Sequence, residues 1–214
     1  GRGPCLNYGA RCAAGRVLTF CHSDTALPED WDGGILAALY GPNDDGVRSS
    51  SCAFNFGIDV SPAGLNGGPF PPGIRAVETT ANLRTRMYSL PYGDQCLSVP
   101  ADVFRHLGGF PDQCLMEDYE LVALLRRRAS LLPRLGVRER ERLAIVPGPP
   151  ALCSPRRWQK FGVLYVTYNN SRFVNLYAGG LGPDDLFRLY YGADPPKRRR
   201  EEGPWEAGLL EIQR

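Results

Sequence analysis

The chain has 214 residues, 43% of them hydrophobic and 22% charged, an ordinary globular composition that suits one large domain better than two small ones. Its 25 basic and 23 acidic residues leave a net charge of +2, so no global field draws it to nucleic acid or to an anionic membrane. No apolar run approaches the roughly 20 residues that span a bilayer, and no signal peptide opens the chain. The seven cysteines, at 5, 12, 21, 52, 96, 114 and 153, form no Cys-x-x-Cys pair and have no histidine close enough in sequence to complete a zinc set. An odd, scattered set reads as the reduced thiols of an intracellular, cytoplasmic protein, with a secreted disulfide framework as the weaker alternative. There is no initiator Met, and Gly1-Arg2-Gly3-Pro4 reads as a processing point or a truncation.

In chain order, Leu6, Ala10, Ala13 and Ala14 sit at near-helical spacing, which predicts a helix over about 5–14 stopped by Gly15. Val17 to Cys21 reads as a buried strand with His22-Ser23-Asp24-Thr25 at its carboxyl end. Helix and strand in succession are α/β grammar, in which ligands bind beyond the carboxyl ends of strands, where His22 and Asp24 fall. Asp24 or Thr25 serves equally well as the cap of the turn that follows. A helix is expected over 28–40, a turn at Asn43-Asp44-Asp45-Gly46 and one half-buried strand over 51–58. Gly and Pro density makes 61–73 a loop, and a helix over 74–90 ends at Pro91.

Beyond Pro91 the reading is a strand over 96–99, a short helix over 100–107 and a longer helix from Glu117 to about residue 130. The Arg- and Glu-rich 134–142 reads as a solvated face or loop, with a strand over 143–146. Ser154-Pro155 opens a helix to about Tyr177, with a break near Asn169-Asn170, and a last helix runs from 182 to 191. Residues 194–214 are low in core formers and read as a charged, flexible tail, leaving 1–193 as the domain.

The stretch from Tyr92 to Leu125 carries the most chemistry. Glu117, Asp118 and Glu120 suit a first helical turn, where free N–H groups and the helix dipole favour acids, and Arg126, Arg127 and Arg128 follow as the complementary cations. The dipole does not explain Gly93-Asp94-Gln95 or Gly108-Gly109, which read as backbone that must pass close to something. Asp24 with His22, set beside Asp118, could build a divalent-metal and base site for phosphate chemistry. Metal-assisted phosphodiester hydrolysis fits these acids nearly as well as group transfer.

In order, Gly-Arg-Gly-x-x-x-Asn-x-Gly-Ala at 1–10, His22-Ser23-Asp24-Thr25-x-Leu27-Pro28, Asn82-Leu83-Arg84, Tyr92-Gly93-Asp94-Gln95, Leu107-Gly108-Gly109-Phe110-Pro111, Met116-Glu117-Asp118-x-Glu120-Leu121 and Ser154-x-Arg156-Arg157-Trp158 resemble a branch of the family 2 glycosyltransferases. The branch is that of the bacterial-type, selenodomain-associated transferases, and the match covers nearly all of 1–191. The resemblance implies the glycosyltransferase A fold, a Rossmann-like mixed sheet flanked by helices with further helices at the C-terminal end. It also implies transfer of a sugar, with inversion, from a nucleotide-diphospho-sugar to an acceptor. Asp24, with His22 in place of the first acid, falls on the family's Asp-x-Asp position and implies a divalent cation, Mn2+ or Mg2+. Asp118 matches the catalytic base. Asp94, Gln95 and Glu117 fall on the sugar and acceptor side, and Arg156, Arg157 and Trp158 resemble the group that meets diphosphate and acceptor. A buried Trp158 with both arginines on the surface is the alternative for that last group.

Members of the family open with a strand, helix and strand that hold the nucleotide base, and this chain starts after that unit. The fold expected is therefore N-terminally incomplete, open to completion by an upstream segment or chain, and this chain alone is expected to bind nucleotide-sugars weakly or not at all. A non-catalytic glycosyltransferase-like fragment that binds a protein or a glycan is the competing reading.

Overall fold

A computed structural model describes residues 1–42, 46–137 and 140–196. The elements begin with α1 (Arg2–Cys12), β1 (Val17–Thr19), β2 (Thr25–Ala26), α2 (Trp31–Tyr40), β3 (Val47–Ala53), β4 (Phe56–Ile58), α3 (Pro62–Leu65) and α4 (Ile74–Tyr88). A 3-10 turn (Gly93–Gln95) precedes β5 (Ser98–Pro100), α5 (Ala101–His106), α6 (Glu117–Leu131) and a second 3-10 turn (Leu132–Leu135). Then come β6 (Arg140–Ile145), β7 (Ala151–Cys153), α7 (Arg156–Phe161), α8 (Val163–Ala178) and α9 (Pro183–Tyr191). The protein is mixed α/β, with two mixed sheets flanked by helices. One sheet has the order β1-β5-β3-β6, with β5 antiparallel to both neighbours and β3 parallel to β6; the other is β2-β7-β4, with β7 antiparallel to β2 and parallel to β4.

Three apolar clusters hold these layers. Leu18 and Val99 of the first sheet pack with Phe104, Leu121 and Leu125 of α5 and α6. Ile35 and Leu39 of α2 cover Cys52, Phe54 and Val146. Phe56 and Ile58 of the second sheet meet Ile74, Trp158 and Val166. The candidate site lies at the border of the first cluster, where α1, the end of β1 and the start of α6 converge.

The boundaries depart from the periodicity at several points. The expected strand over 51–58 is two strands in different sheets, β3 and β4. Between them the Phe54 N–H goes to the Gln95 carbonyl (2.9 Å), and the Asn55 carbonyl accepts from Ala151 (3.0 Å), so the chain changes sheets over two residues. The Gly- and Pro-rich 61–73 contains α3, nucleated by Ser61, whose hydroxyl caps Gly64 N–H. The expected long helix from 154 breaks at Gly162, at φ 78° and ψ 154°, a conformation nearly restricted to glycine. Asn169 and Asn170 lie inside α8 instead.

The reading of 134–142 as a solvated face or loop meets a strand in its last third, where β6 begins at Arg140; Arg140 and Arg142 are exposed, as a solvated face requires. Glu141 in that strand is buried and takes both Nε (2.9 Å) and NH2 (3.0 Å) of Arg128 in α6. The short strands β2 and β7 escaped the sequence reading because two or three residues carry no period. The expected turn at Asn43-Asp44-Asp45, part of the expected loop at 138 and 139, and nearly all of the expected tail fall outside the described residues.

Candidate functional site

Four segments meet at the site. α1 begins at Arg2, and Asn7 fastens it to the loop before α6: its Nδ2 donates to the Phe110 carbonyl (2.8 Å) and its Oδ1 accepts the Phe110 N–H (2.9 Å). That bond explains Gly109, at φ 79°, where a Cβ would stand 2.7 Å from Asn7 Oδ1. Gly3 lets α1 lie close to the loop before α6 and to its first residue, since its Cβ would stand 2.9 Å from the Pro111 carbonyl and 3.4 Å from Glu117 Cβ. The segment after β1 is tied by Phe20 N–H to Leu97 O (2.9 Å), and the Asp24 carbonyl accepts from Ser154 (2.9 Å).

The acids at the start of α6 point three ways. Glu117 is buried and ion-paired with the Arg2 guanidinium. Asp118 accepts from the Gly93 N–H (Oδ2, 2.9 Å) and the Tyr119 N–H (Oδ1, 2.8 Å), with Arg2 NH2 at 4.0 Å. Glu120 turns outward to the Tyr177 hydroxyl of α8 (2.7 Å). Only Asp118 thus presents a partly exposed carboxylate to the meeting point. Each carboxylate oxygen holds two lone pairs, so after one N–H bond apiece both oxygens can still accept.

Across from Asp118 stands His22, whose Nε2 lies 3.4 Å from Arg2 NH1. Arginine only donates, so Nε2 is the acceptor of that contact. Burial, seconded by the Arg2 charge, pushes the His22 pKa down, so the ring is neutral at pH 7. Burial likewise pushes the Glu117 carboxyl up, with Asp118 adding to the shift and Arg2 opposing it. Asp94 is raised to about 6, chiefly by burial, with Arg84 opposing and Asp118 reinforcing. Such displaced carboxyls gather where a site is built to handle charge.

The recess at this point is small, about 20 Å3, floored by Leu6, Phe20, Phe110 and Val122 and edged by His22 and Asp118. A wider groove, about 550 Å3, runs elsewhere along β4 and α4, past Asn55, Asp59, Arg75, Glu78 and Arg86.

The sequence-derived residues distribute unevenly around the recess. His22, Glu117 and Asp118 line it, and Asp94 neighbours Asp118 closely enough to couple electrostatically with it and with Asp24. Asp24 lies 3.5 Å from Arg156 NH2. Gln95 faces inward and is fully buried, accepting from Thr85 (2.9 Å) and donating to the Phe54 carbonyl (2.9 Å). Arg157 reaches Asn170 (3.2 Å) and the Tyr190 ring, and Trp158 is buried beside Phe56. Of that trio, Arg156 alone extends toward Asp24.

Sequence reasoning missed Arg2 and the Arg84–Tyr92 pair. Arg2 sits between two glycines at a helix start, a position where a cation opposes the helix dipole and so needs another reason. Arg84 stacks on the Tyr92 ring at 3.5 Å and donates to the Leu90 carbonyl (3.0 Å), bracing the Gly93 turn.

No group of three or more His, Cys, Asp or Glu that could hold a metal ion occurs among the described residues. His22 and Asp24 offer an imidazole and a carboxylate, a partial set in which the Nε2 lone pair faces Arg2 and the carboxylate faces Arg156, so an ion would enter only as those arginines turn away. Comparison of the chain with family models, with curated proteins and with solved structures finds no match in any of the three. No helix among the described residues is long and apolar enough to cross a membrane.

Proposed function

We propose that the chain is a glycosyltransferase of the glycosyltransferase A type, moving a sugar from a nucleotide-diphospho-sugar to an acceptor hydroxyl with inversion. The observation that supports this reading best is the Asp118 carboxylate, oriented by two backbone N–H groups, with lone pairs to spare, between neutral His22 and Arg2. In this reading Asp118 takes the acceptor proton as the acceptor oxygen bonds to the anomeric carbon, and the bond from that carbon to the diphosphate oxygen breaks. Asp94 and Arg156 contact donor or acceptor, and Arg2 and Arg156 supply cations near the departing diphosphate. His22 and Asp24 would hold a divalent cation, Mn2+ or Mg2+, which when bound offsets charge on the leaving group. Gln95 and Trp158 act through packing, Gln95 by fixing the 93–95 turn.

The competing reading is a glycosyltransferase-like binding module for a protein or a glycan. The volume of the recess favours the protein-binding form of that reading: about 20 Å3 admits a water and no sugar. One experiment separates the two. The chain is incubated with a panel of nucleotide-diphospho-sugars and Mn2+, with transfer followed by nucleoside diphosphate release and donor binding by calorimetry. Transfer that Asp118→Asn abolishes while donor binding persists is the expected result. Turnover unchanged in Asp118→Asn overturns the base assignment, and glycan binding without any donor binding favours the module.

A further inference from the structure

The near-neutral charge of the whole chain conceals a local one. Residues 154–181 contain Arg156, Arg157, Lys160 and Arg172 and no Asp or Glu. This segment forms α7 and α8, which Gly162 joins. α8 has satisfied its inward face, where Val166 and Phe173 are buried. Its outward face is not polar as a solvated helix would be: Leu164 is 86% exposed, Tyr168 67% exposed, and Tyr165 and the neighbouring Phe161 are exposed as well. Leu164 and Tyr168 stand one turn apart, the Phe161 and Tyr165 rings lie 5.7 Å apart, and the Lys160 ammonium sits 5.1 Å from the Phe161 ring. The exposed stripe turns polar farther along, at Ser171, Arg172 and Asn175.

From this juxtaposition of exposed aromatic and aliphatic side chains with the exposed cations Lys160 and Arg172, we infer that the outward face of α7 and α8 docks on an anionic phospholipid surface. The patch is a convex helix face rather than a groove, which suits a planar partner better than a peptide. Tyrosine, apolar in its ring and polar at its hydroxyl, matches the headgroup level, and Lys and Arg reach lipid phosphates while laying their stems along apolar surface. Basic side chains close to a negatively charged leaflet add an attraction that salt screens. The inference stands apart from the transfer reading and uses none of its residues in the test.

The test is co-sedimentation of the full chain with phosphatidylcholine vesicles, with and without phosphatidylglycerol, across a salt series. The chain is expected to pellet with the anionic vesicles at low salt, to be released as salt rises, and to stay in solution with phosphatidylcholine alone. Leu164→Ser with Tyr168→Ser is expected to weaken binding by about tenfold or more, and Lys160→Gln with Arg172→Gln to weaken it and flatten its salt dependence. All four positions are exposed, and unchanged thermal unfolding in the absence of vesicles checks that the variants fold. As an independent readout, Leu164→Trp should give fluorescence that brominated lipids quench beyond the quenching of the unsubstituted chain. Absence of binding to anionic vesicles, equal binding to neutral ones, or binding that survives both double variants overturns the inference. So does self-association that Leu164→Ser with Tyr168→Ser dissolves in a chain that ignores vesicles, since the face would then pair with a second copy.

Discussion

The Gly93 N–H donates to Asp118 Oδ2 at 2.9 Å, joining a 3-10 turn to a helix start 25 residues away. The same glycine has no room for a side chain: a Cβ there would lie 2.4 Å from His22 Nε2 and 3.0 Å from Asp118 Oδ2. The glycine is required by close approach and not by dihedral angle, since Gly93 is not among the residues of positive φ.

Gly93→Ala is therefore expected to push the His22 ring off its contact with Arg2 and to spare the backbone. The stability cost should stay near 1 kcal/mol, at the low end for overpacking, whereas under the proposed transfer activity a shift of about 1 Å in the site should cut turnover by about a hundredfold. Urea unfolding together with the transfer assay checks this, and equal losses of stability and activity would count against it.

Arg2 and Glu117 form a pair in which the acid is buried and the base half-exposed. Arg2→Met leaves the Glu117 carboxylate without its cation at the base of the recess, and the expected cost is about 2 kcal/mol, below the range for fully buried pairs because solvent reaches Arg2. Adding Glu117→Gln removes the stranded charge and should recover much of the loss, so a double-mutant cycle measures the coupling. Burial already raises the Glu117 pKa in the folded state, and losing Arg2 raises it further. A carboxyl with a raised folded pKa contributes stability at low pH that fades as pH climbs. The deficit of Arg2→Met should accordingly be smaller at pH 5 than at pH 8.

Asp94 gives a second pH signature. Its folded pKa of about 6 stands above the ordinary 3.8, so the folded protein binds this proton more tightly than the unfolded chain does. The associated stability is fully present below the ordinary value and is lost as pH rises through about 6. Urea unfolding from acid to neutral pH should show this downward component, and Asp94→Asn should remove it. An identical pH slope in the two proteins would refute the assignment.

The sequence made the long helices and the convergence of motifs legible, and it left the geometry of the acids open. Helices α4 and α6 end near the expected stops; α6 packs its apolar residues on a core cluster, whereas in α4 Ile74, Val77 and Ala81 meet a cluster and Leu83 and Met87, at the same spacing, are exposed. The glycines at 93 and 109 were readable as points of close approach, although what approaches them, His22 with Asp118 and Asn7, depends on segments distant in the chain. Glu117, Asp118 and Glu120 look alike in sequence. Helical rotation of about 100° per residue sends them to different partners, and only the neighbouring elements decide which one faces the recess. The role of Arg2 was hidden for the same reason, and the strands of two or three residues were too short to show alternation.

The reading of 134–142 as a solvated face or loop fails at Glu141, and this leads to the last expectation. Alternating Arg and Glu normally marks a solvated surface, and Arg140 is indeed exposed, but Glu141 is buried against α6. Its two oxygens take a forked pair of bonds from Arg128, the geometry in which arginine binds carboxylate most strongly. The pair ties β6, an outer strand of the first sheet, to the last turn of α6. Arg128→Lys keeps the charge and loses the fork, whereas Arg128→Ala strands a buried carboxylate. Expected losses are about 1 kcal/mol for the first and about 3 kcal/mol for the second, measured by urea unfolding. Hydrogen exchange should localise the damage to β6 and the end of α6, leaving β2, β7 and β4 protected as before. A negligible cost for Arg128→Lys beside a large one for Arg128→Ala would show that charge alone, and not the forked geometry, fastens the strand.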